Sequence, residues 1–583
     1  MNNTTIPPFW KRDWKIPHSD TILRVINTFS LTEKFIFFFF VTLLFISSIS
    51  LLWQVNKSFL VDVPDYGGSF SEGVIGSPRF INPLLAVSDI DRDLSALIYS
   101  GLLRVDADGA LVPDLAKSYT ITDDGRSYTF ILRDDIVFHD NTKVTADDVI
   151  FTIERAKDPA LKSPRKANWD GVSVSKLDDK TIEFTLRQPY SPFIQNLTLG
   201  ILPKHIWKAA TADDFAFSQY NVKPVGSGPY MLDTISYTDS GIPSQYTLVS
   251  FKKYALGRPY IESIVVKSYS NEKNIIDAFK SGDIESFHSV TPQETTSISQ
   301  DTSTTMIAPL PRVFGVFFNQ SVAPVLVNKE VRQALDIATN KREIIDSVLG
   351  GHGQMIDGPI PPRLINEISH EPFGEGDIEK AKSLLIKNGW KQNEDGIFEK
   401  TSKKETQTLS FSISTAAVPE LKSTALLLQK QWQKIGAEVE VKIFEVSDIN
   451  QNIIRPRKYD ALLFGEIIGR DLDLYPFWHS SGRIDPGLNI ALYTNLKADK
   501  ILETLRKTTD TDSQEKLYND FNSEIKNDIP AVFIYSPYFT YIAPRKIHNV
   551  RLGQLTTPAE RFADIYAWYI ETNSVWKIFA RNK

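Results

Sequence analysis

Cysteine is absent from all 583 residues, so disulfides, thiolate nucleophiles and cysteine-based metal sites are excluded together. The same absence leaves no cysteine to carry a lipid, and any membrane attachment must come from the chain itself. Histidine is scarce. Its eight copies (His18, His139, His205, His288, His352, His370, His479 and His548) are scattered, and no two stand at the i, i+4 spacing of a helical zinc site. No metal is expected. Basic residues are not in excess: 65 Lys and Arg face 71 Asp and Glu, a net charge of −6. No basic stripe interleaves with aromatics, so nucleic acid is not an expected partner. Catalytic signatures are missing as well. Gly226-Ser-Gly-Pro229 is a tight turn without the Lys-Ser/Thr of a phosphate loop, and no Gly-x-Ser-x-Gly elbow is present. Asp134-Asp135 and Asp147-Asp148 are neighbours in sequence, so neither pair converges on one point as an acid/base pair must. Neither an enzyme nor a cofactor is expected.

What the chain does have is apolar and aromatic mass. Hydrophobic residues make up 42%, with 35 Phe, 21 Tyr and 10 Trp, which is more than a single core usually holds. One stretch differs from the rest. Phe35 to Trp53 (FIFFFFVTLLFISSISLLW) carries no charge and is apolar on every side. Nineteen helical residues span about 28 Å, close to the hydrocarbon thickness of a bilayer. A long lead precedes it and no Ala-x-Ala pattern follows, which favours an uncleaved anchor over a signal peptide. Lys11, Arg12, Lys15, Arg24 and Lys34 precede the stretch, whereas only Lys57 follows it closely. The positive-inside rule then makes 1–34 a cytoplasmic tail, 35–54 a single-pass membrane anchor, 55–67 a linker, and the remainder extracytoplasmic.

From Gly68 onward short strands alternate with helices. Ser127 to Arg133 puts Tyr128, Phe130 and Leu132 on one face, and Thr181 to Leu186 does the same with Ile182, Phe184 and Leu186. Thr145-Ala-Asp-Asp148 reads as a helix start, with a capping hydroxyl and acids at the positive end of the dipole. Leu421 to Gly436 is an amphipathic helix followed by the strand Glu438 to Glu445. The pattern predicts an α/β protein split into lobes.

Motifs then accumulate in a fixed order. SFSEGVIGSPRFINPLLAVSDIDRDLSALIYSGLLRVDADGALVPDLAKSYTITDDGRSYTFILRDDIVFHD leads to TADDVIFTIERAKDP, PVGSGPYML and ALGRPYIESIVVK. VFFNQSVAPVL, KEVRQALDIATNKREIIDSVLGGHG, YDALLFGEIIGRDLDLYPFWHSSG and DIPAVFIYSPYFTYIAP follow. Over about residues 68 to 550 this resembles solute-binding protein family 5, the oligopeptide- and dipeptide-binding components of ABC importers. The resemblance implies a two-lobed periplasmic-binding-protein-like fold (type II, large cluster with an extra subdomain) that closes over its ligand by hinge motion. Lobe I would be 68–311 with a subdomain near 104–186, lobe II 312–527, and 528–583 a return to lobe I with a C-terminal segment. The implied partners are a peptide or similar small solute and the permease subunits of an importer. A non-peptide cargo (oligosaccharide, opine or metal chelate) and a membrane-anchored sensor or scaffold without transport are the competing readings.

The resemblance also implies a site. The family's amine-binding aspartate follows a strand that Tyr459 to Gly465 (YDALLFG) resembles, and Asp471 fits it best, with Asp473 second. Arg470 stands beside both and can neutralise one of them. Glu466 occupies a position where many relatives carry Trp, and two residues are inserted before Asp471. Val87, Ser88 and Asp89 fall where relatives offer backbone groups to an extended peptide. Phe317, Phe318 and Asn319 open lobe II, and alternation makes one Phe core and the other cleft wall. Tyr475, Trp478 and His479 are candidates to cap the pocket.

Overall fold

The computed structural model describes residues 19–288, 302–361, 375–402, 405–445, 448–508 and 510–580. Two compact units result, one built from the residues up to Asp65 together with those from Thr572 onward, and the other from Tyr66–Glu571. The first unit carries helix α1 (Leu31–Phe59), whose start is fixed by a capping box between Ser30 and Glu33. It is the one described helix long and apolar enough to cross a membrane, and none of that apolar stretch is buried by protein. The segment 55–67, expected as a linker, is instead helical to Phe59 and then forms strand β1 (Leu60–Pro64). Its apolar residues have a partner that sequence proximity does not reveal: β1 pairs antiparallel with Thr572–Trp576, from Leu60 opposite Trp576 to Pro64 opposite Thr572. Most of the expected cytoplasmic tail, residues 1–18, lies outside the described residues.

Besides a small cluster around Ile275, Ile284 and Phe287, the second unit holds two large hydrophobic cores. One gathers buried residues between Phe70 and Leu310 and again between Phe539 and Trp568. The other runs from Val313 to Tyr535. Among the described residues, twelve strands form one sheet that serves both. On the first side lie β2 (Ser69–Ile75), Tyr230–Tyr237, Pro243–Ser250 and Ser263–Tyr269. On the second lie β3 (Arg312–Phe318), Ser410–Ala416, Glu438–Phe444 and β4 (Ala461–Ile467). Strand β5 (Ala531–Pro544) belongs to both: Ala531–Tyr535 pairs with β3 in the second core, and Tyr538–Pro544 pairs with Ser303–Pro309 in the first. The chain therefore crosses between cores at Leu310–Arg312 and at Ser536–Tyr538. The second crossing comes later than residue 528, because Ala531–Tyr535 still packs in the second core. The two crossings touch, with the Ser536 hydroxyl donating to the Leu310 carbonyl at 2.8 Å.

Beside the first core stands a four-stranded antiparallel sheet that includes Ser127–Leu132 and Thr181–Leu186. Tyr128 faces Phe184 and Phe130 faces Ile182 across it, all buried, as the alternation predicts. The helix Ala146–Lys157 starts with Thr145, but here the donor roles are reversed. The Thr145 backbone N–H and hydroxyl both donate to the Asp148 carboxylate at 2.9 Å.

Candidate functional site

Between the two cores lies a cavity of about 430 Å³, within the range of about 300–1,000 Å³ typical of small-ligand sites. Arg92, Asp114, Arg165 and Tyr254 line it from the side of the first core, and Arg470 and Asp471 from the side of the second. A neighbouring cavity of about 700 Å³ shares Gln195, Arg470 and Asp471 with it and adds Tyr128 and Tyr518. Asp471 thus stands where the two spaces meet.

The loop after β4 separates two aspartates that look alike in sequence. Asp473 is fully engaged: Arg506 donates to it from Nε at 3.0 Å and from Nη2 at 2.5 Å, and the Tyr190 hydroxyl donates at 3.1 Å. Asp471 is half-buried and has no ion-pair partner among the described residues. Burial, reinforced by the charge of Asp473, pushes its carboxyl up to about 6. Arg470 neutralises neither. It is spent on Glu560 at 2.5 Å and on the carbonyls of Gly109 at 3.0 Å and Gln554 at 2.8 Å. Leu472, between the two aspartates, adopts φ +49°, which turns the loop so that adjacent acids meet different surroundings.

Two further cavity residues were not singled out by sequence reasoning. Burial and the nearby charge of Arg92 push the Arg165 guanidinium below its ordinary range, and its Nε has no hydrogen-bond partner. Among the described residues no carboxylate pairs with it. Asp114 is buried and its carboxyl is pushed up to about 6, with the Tyr254 hydroxyl 3.4 Å away. Nothing local in KSPRKAN or LVPDLAK distinguishes either residue from a solvated charge. Arg165 stands out by the carboxylate it lacks in three dimensions, and Asp114 by its burial.

The remaining candidates are placed as follows. Val87 is exposed, Ser88 caps helix Asp89–Ile98, and Asp89 makes a loose pair with Arg92 at 3.7 Å. The cavity wall here is formed by Ala86 and Arg92 on either side of them. Phe317 and Phe318 are both fully buried, so neither is a cleft wall. β3 lies between β4 and β5, both of its faces are covered, and alternation has no solvent face to mark. Asn319 is also fully buried and holds a turn, its amide donating to the Arg457 carbonyl at 3.0 Å. Trp478 is a core residue against Phe317 and Phe533 rather than a pocket cap. Tyr475 stacks on His479 with ring centroids 4.0 Å apart, and the Arg506 guanidinium lies 3.9 Å from its centroid. It braces the Asp473 pair. Glu466 is 3% exposed and neither carboxyl oxygen has a hydrogen-bond partner. Burial in an apolar layer raises its pKa well above the ordinary carboxylate range.

The family model of bacterial extracellular solute-binding proteins, family 5 (Middle), matches residues 110–483. The chain belongs to this family. Among family 5 relatives, the oligopeptide-binding protein AppA of Bacillus subtilis is 29% identical over 517 residues, covering 87% of this chain and 92% of its own. The structure of AppA with a nonapeptide matches with a TM-score of 0.68 at 27% identity, covering 87% of this chain and all of that one. The structure of NikZ from Campylobacter jejuni with Ni(L-His) matches with a TM-score of 0.69 at 26% identity, covering 86% and 99%. These likenesses establish the two-lobed α/β periplasmic-binding-protein-like fold, with one hydrophobic core to each lobe. They also show that proteins of this fold are seen with different ligands.

Proposed function

We propose that this chain is a membrane-anchored receptor that captures peptides on the extracytoplasmic side and delivers them to the permease subunits of an ABC importer. One observation carries the reading. A carboxylate and a guanidinium, Asp471 and Arg165, face the same cavity from opposite lobes, and neither has an ion-pair partner of its own. An uncompensated buried charge is costly, and a zwitterionic solute removes both costs at once. The amine of a peptide goes to Asp471 and a carboxylate to Arg165. The nonapeptide bound by the relative AppA supports peptide as the cargo class, and α1 supports anchoring in the membrane.

Titration calorimetry of the full chain in detergent with a short peptide, free and amino-acetylated, tests the reading. Losing one partner of a desolvated pair costs about 2–5 kcal/mol, so Asp471→Asn weakens the free peptide by roughly thirty- to several-thousand-fold. Acetylation weakens wild type similarly and adds little to Asp471→Asn. Equal affinity of free and acetylated peptide for wild type removes Asp471 as an amine site and turns the reading toward a non-peptide solute. The free guanidinium of Arg165 favours an anionic chelate as that second cargo.

A further inference from the structure

Helix α1 does not end where its apolar stretch ends. Phe35–Trp53 is followed by one and a half further turns to Phe59, and the chain then enters β1 without a break. At 1.5 Å per residue, Asn56 stands about 4–5 Å and Phe59 about 9 Å beyond Trp53. A bilayer's polar layer adds roughly 5–7 Å to each side of its hydrocarbon core. The strand Thr572–Trp576 returns to this level. Trp576 faces Leu60 in the ladder, its indole N–H donates to the Asn56 side chain at 2.8 Å, and its ring lies 6.5 Å from that of Phe59. The chain continues from the helix end of the ladder into a short turn of helix, Lys577–Ala580. Here the large apolar side chains are turned outward: Trp576 is 50% exposed, Ile578 72% and Phe579 68%. Lys57 and Lys577 flank them.

We propose that Trp576, Ile578 and Phe579 form a second membrane contact, lying in the outer-leaflet interface beside the point where α1 emerges. This rests on the reading of α1 as a membrane span. Three features select lipid as the occupant. The patch is tied to the apolar helix through the ladder with β1 and the Trp576–Asn56 hydrogen bond, so its depth is set by α1. Tryptophan, with an apolar body and a single N–H donor, is the residue enriched at that depth. The flanking lysines suit anionic headgroups. A patch of three large apolar residues in water gains nothing from exposure, whereas the interface buries it without displacing a protein partner.

The absence of cysteine makes the test direct, since one introduced thiol carries one label. The full chain bearing Ile578→Cys or Phe579→Cys is spin-labelled and reconstituted into vesicles of phosphatidylcholine and phosphatidylglycerol. Collision rates with oxygen, which partitions into lipid, and with a water-soluble nickel chelate then report depth. Val41→Cys in the middle of α1 and the exposed Ile386→Cys serve as bilayer and water references. The expected result is an oxygen-to-nickel ratio at 578 and 579 between the references and several-fold above that at 386. A ratio equal to that at 386, with 41 deep in the bilayer, overturns the contact and leaves the anchor standing. A watery ratio at 41 overturns both. Shielding of 578 and 579 from both agents, with an immobilised spectrum, assigns the patch to a protein partner and equally overturns the proposal.

Discussion

Asp471 and Asp473 are two residues apart and chemically identical, yet only one is free to act. Arg506 and Tyr190 complete the hydrogen bonding of Asp473, so a ligand amine at that carboxylate would have to displace an existing pair. Burial and the charge of Asp473 instead push the Asp471 carboxyl up to about 6. The sign of its pH dependence follows. A bound amine needs the ionised form, so affinity rises as pH increases through about 6 and levels off above it. Below 6 the loss approaches about tenfold per pH unit. Calorimetry from pH 4.5 to 7.5 on wild type and Asp471→Asn checks this, and an equal slope in both sinks the assignment. Arg165 makes a complementary prediction. Arg165→Gln weakens a peptide with a free carboxylate by about tenfold or more, at 1.4 kcal/mol per tenfold, and leaves its carboxamide analogue little changed. Equal loss for both analogues reduces Arg165 to packing. Asp471 is singled out by its position after the YDALLFG strand. The occupation of Asp473 is not legible there, because Arg506 is 33 residues downstream and looks like any helix-end cation.

At the scale of elements, what joins them was least accessible from sequence. The strands Ser127–Leu132 and Thr181–Leu186 announced themselves because one face of their sheet is polar, and period-two alternation survives. β3 did not, since RVFGVFF is buried on both sides and its adjacent Phe317 and Phe318 are both in the core. The largest omission is Arg561, fully buried between two carboxylates contributed by separate elements. It donates to Glu72 of β2 at 2.8 Å and to Asp93 of helix Asp89–Ile98 at 2.7 Å. Those partners are 489 and 468 residues away, so no local signal exists. Burial by itself would raise the Asp93 carboxyl, but Arg561 and His288 hold it far below the carboxylate range. Its contribution to stability is therefore present above pH 4 and lost only in strong acid. Arg561→Met leaves two carboxylates buried without their cation and costs about 3–5 kcal/mol in denaturant unfolding. The gap from wild type should narrow as pH falls toward 4 and the stranded acids take up protons. A gap that is constant with pH would mean that the loss is one of packing.

In the molecule as a whole, the two crossings leave the lobes connected by adjacent strands, and further contacts between lobes are made by side chains at the cavity. Arg470, packed beside the second core, reaches Glu560 and two carbonyls on the first side. Tyr190 on the first side reaches Asp473 on the second. In the closing motion that the family resemblance implies, these bonds form only when the lobes are together and bias the equilibrium toward closure before any ligand contributes. A ligand touching Asp471 and Arg165 adds to that bias, because it too has both partners only in the closed state. Weakening a built-in contact should therefore lower affinity without touching the ligand. Glu560→Gln retains shape and removes the charge that Arg470 answers. A hydrogen bond to a charged group contributes about 1.5–3 kcal/mol, so peptide affinity should fall by roughly ten- to a hundredfold. Closure is measured on the same variant. Nitroxides at Leu177→Cys and Ile386→Cys, exposed positions on the two lobes, report their separation in a chain with no other thiol. In Glu560→Gln the distance distribution without peptide should be longer and broader than in wild type, and saturating peptide should return it to the wild-type bound value. If the unliganded distributions coincide while affinity still falls, the Arg470–Glu560 pair acts on the cavity directly and not through the lobes. If neither changes, the pair has no part in closure.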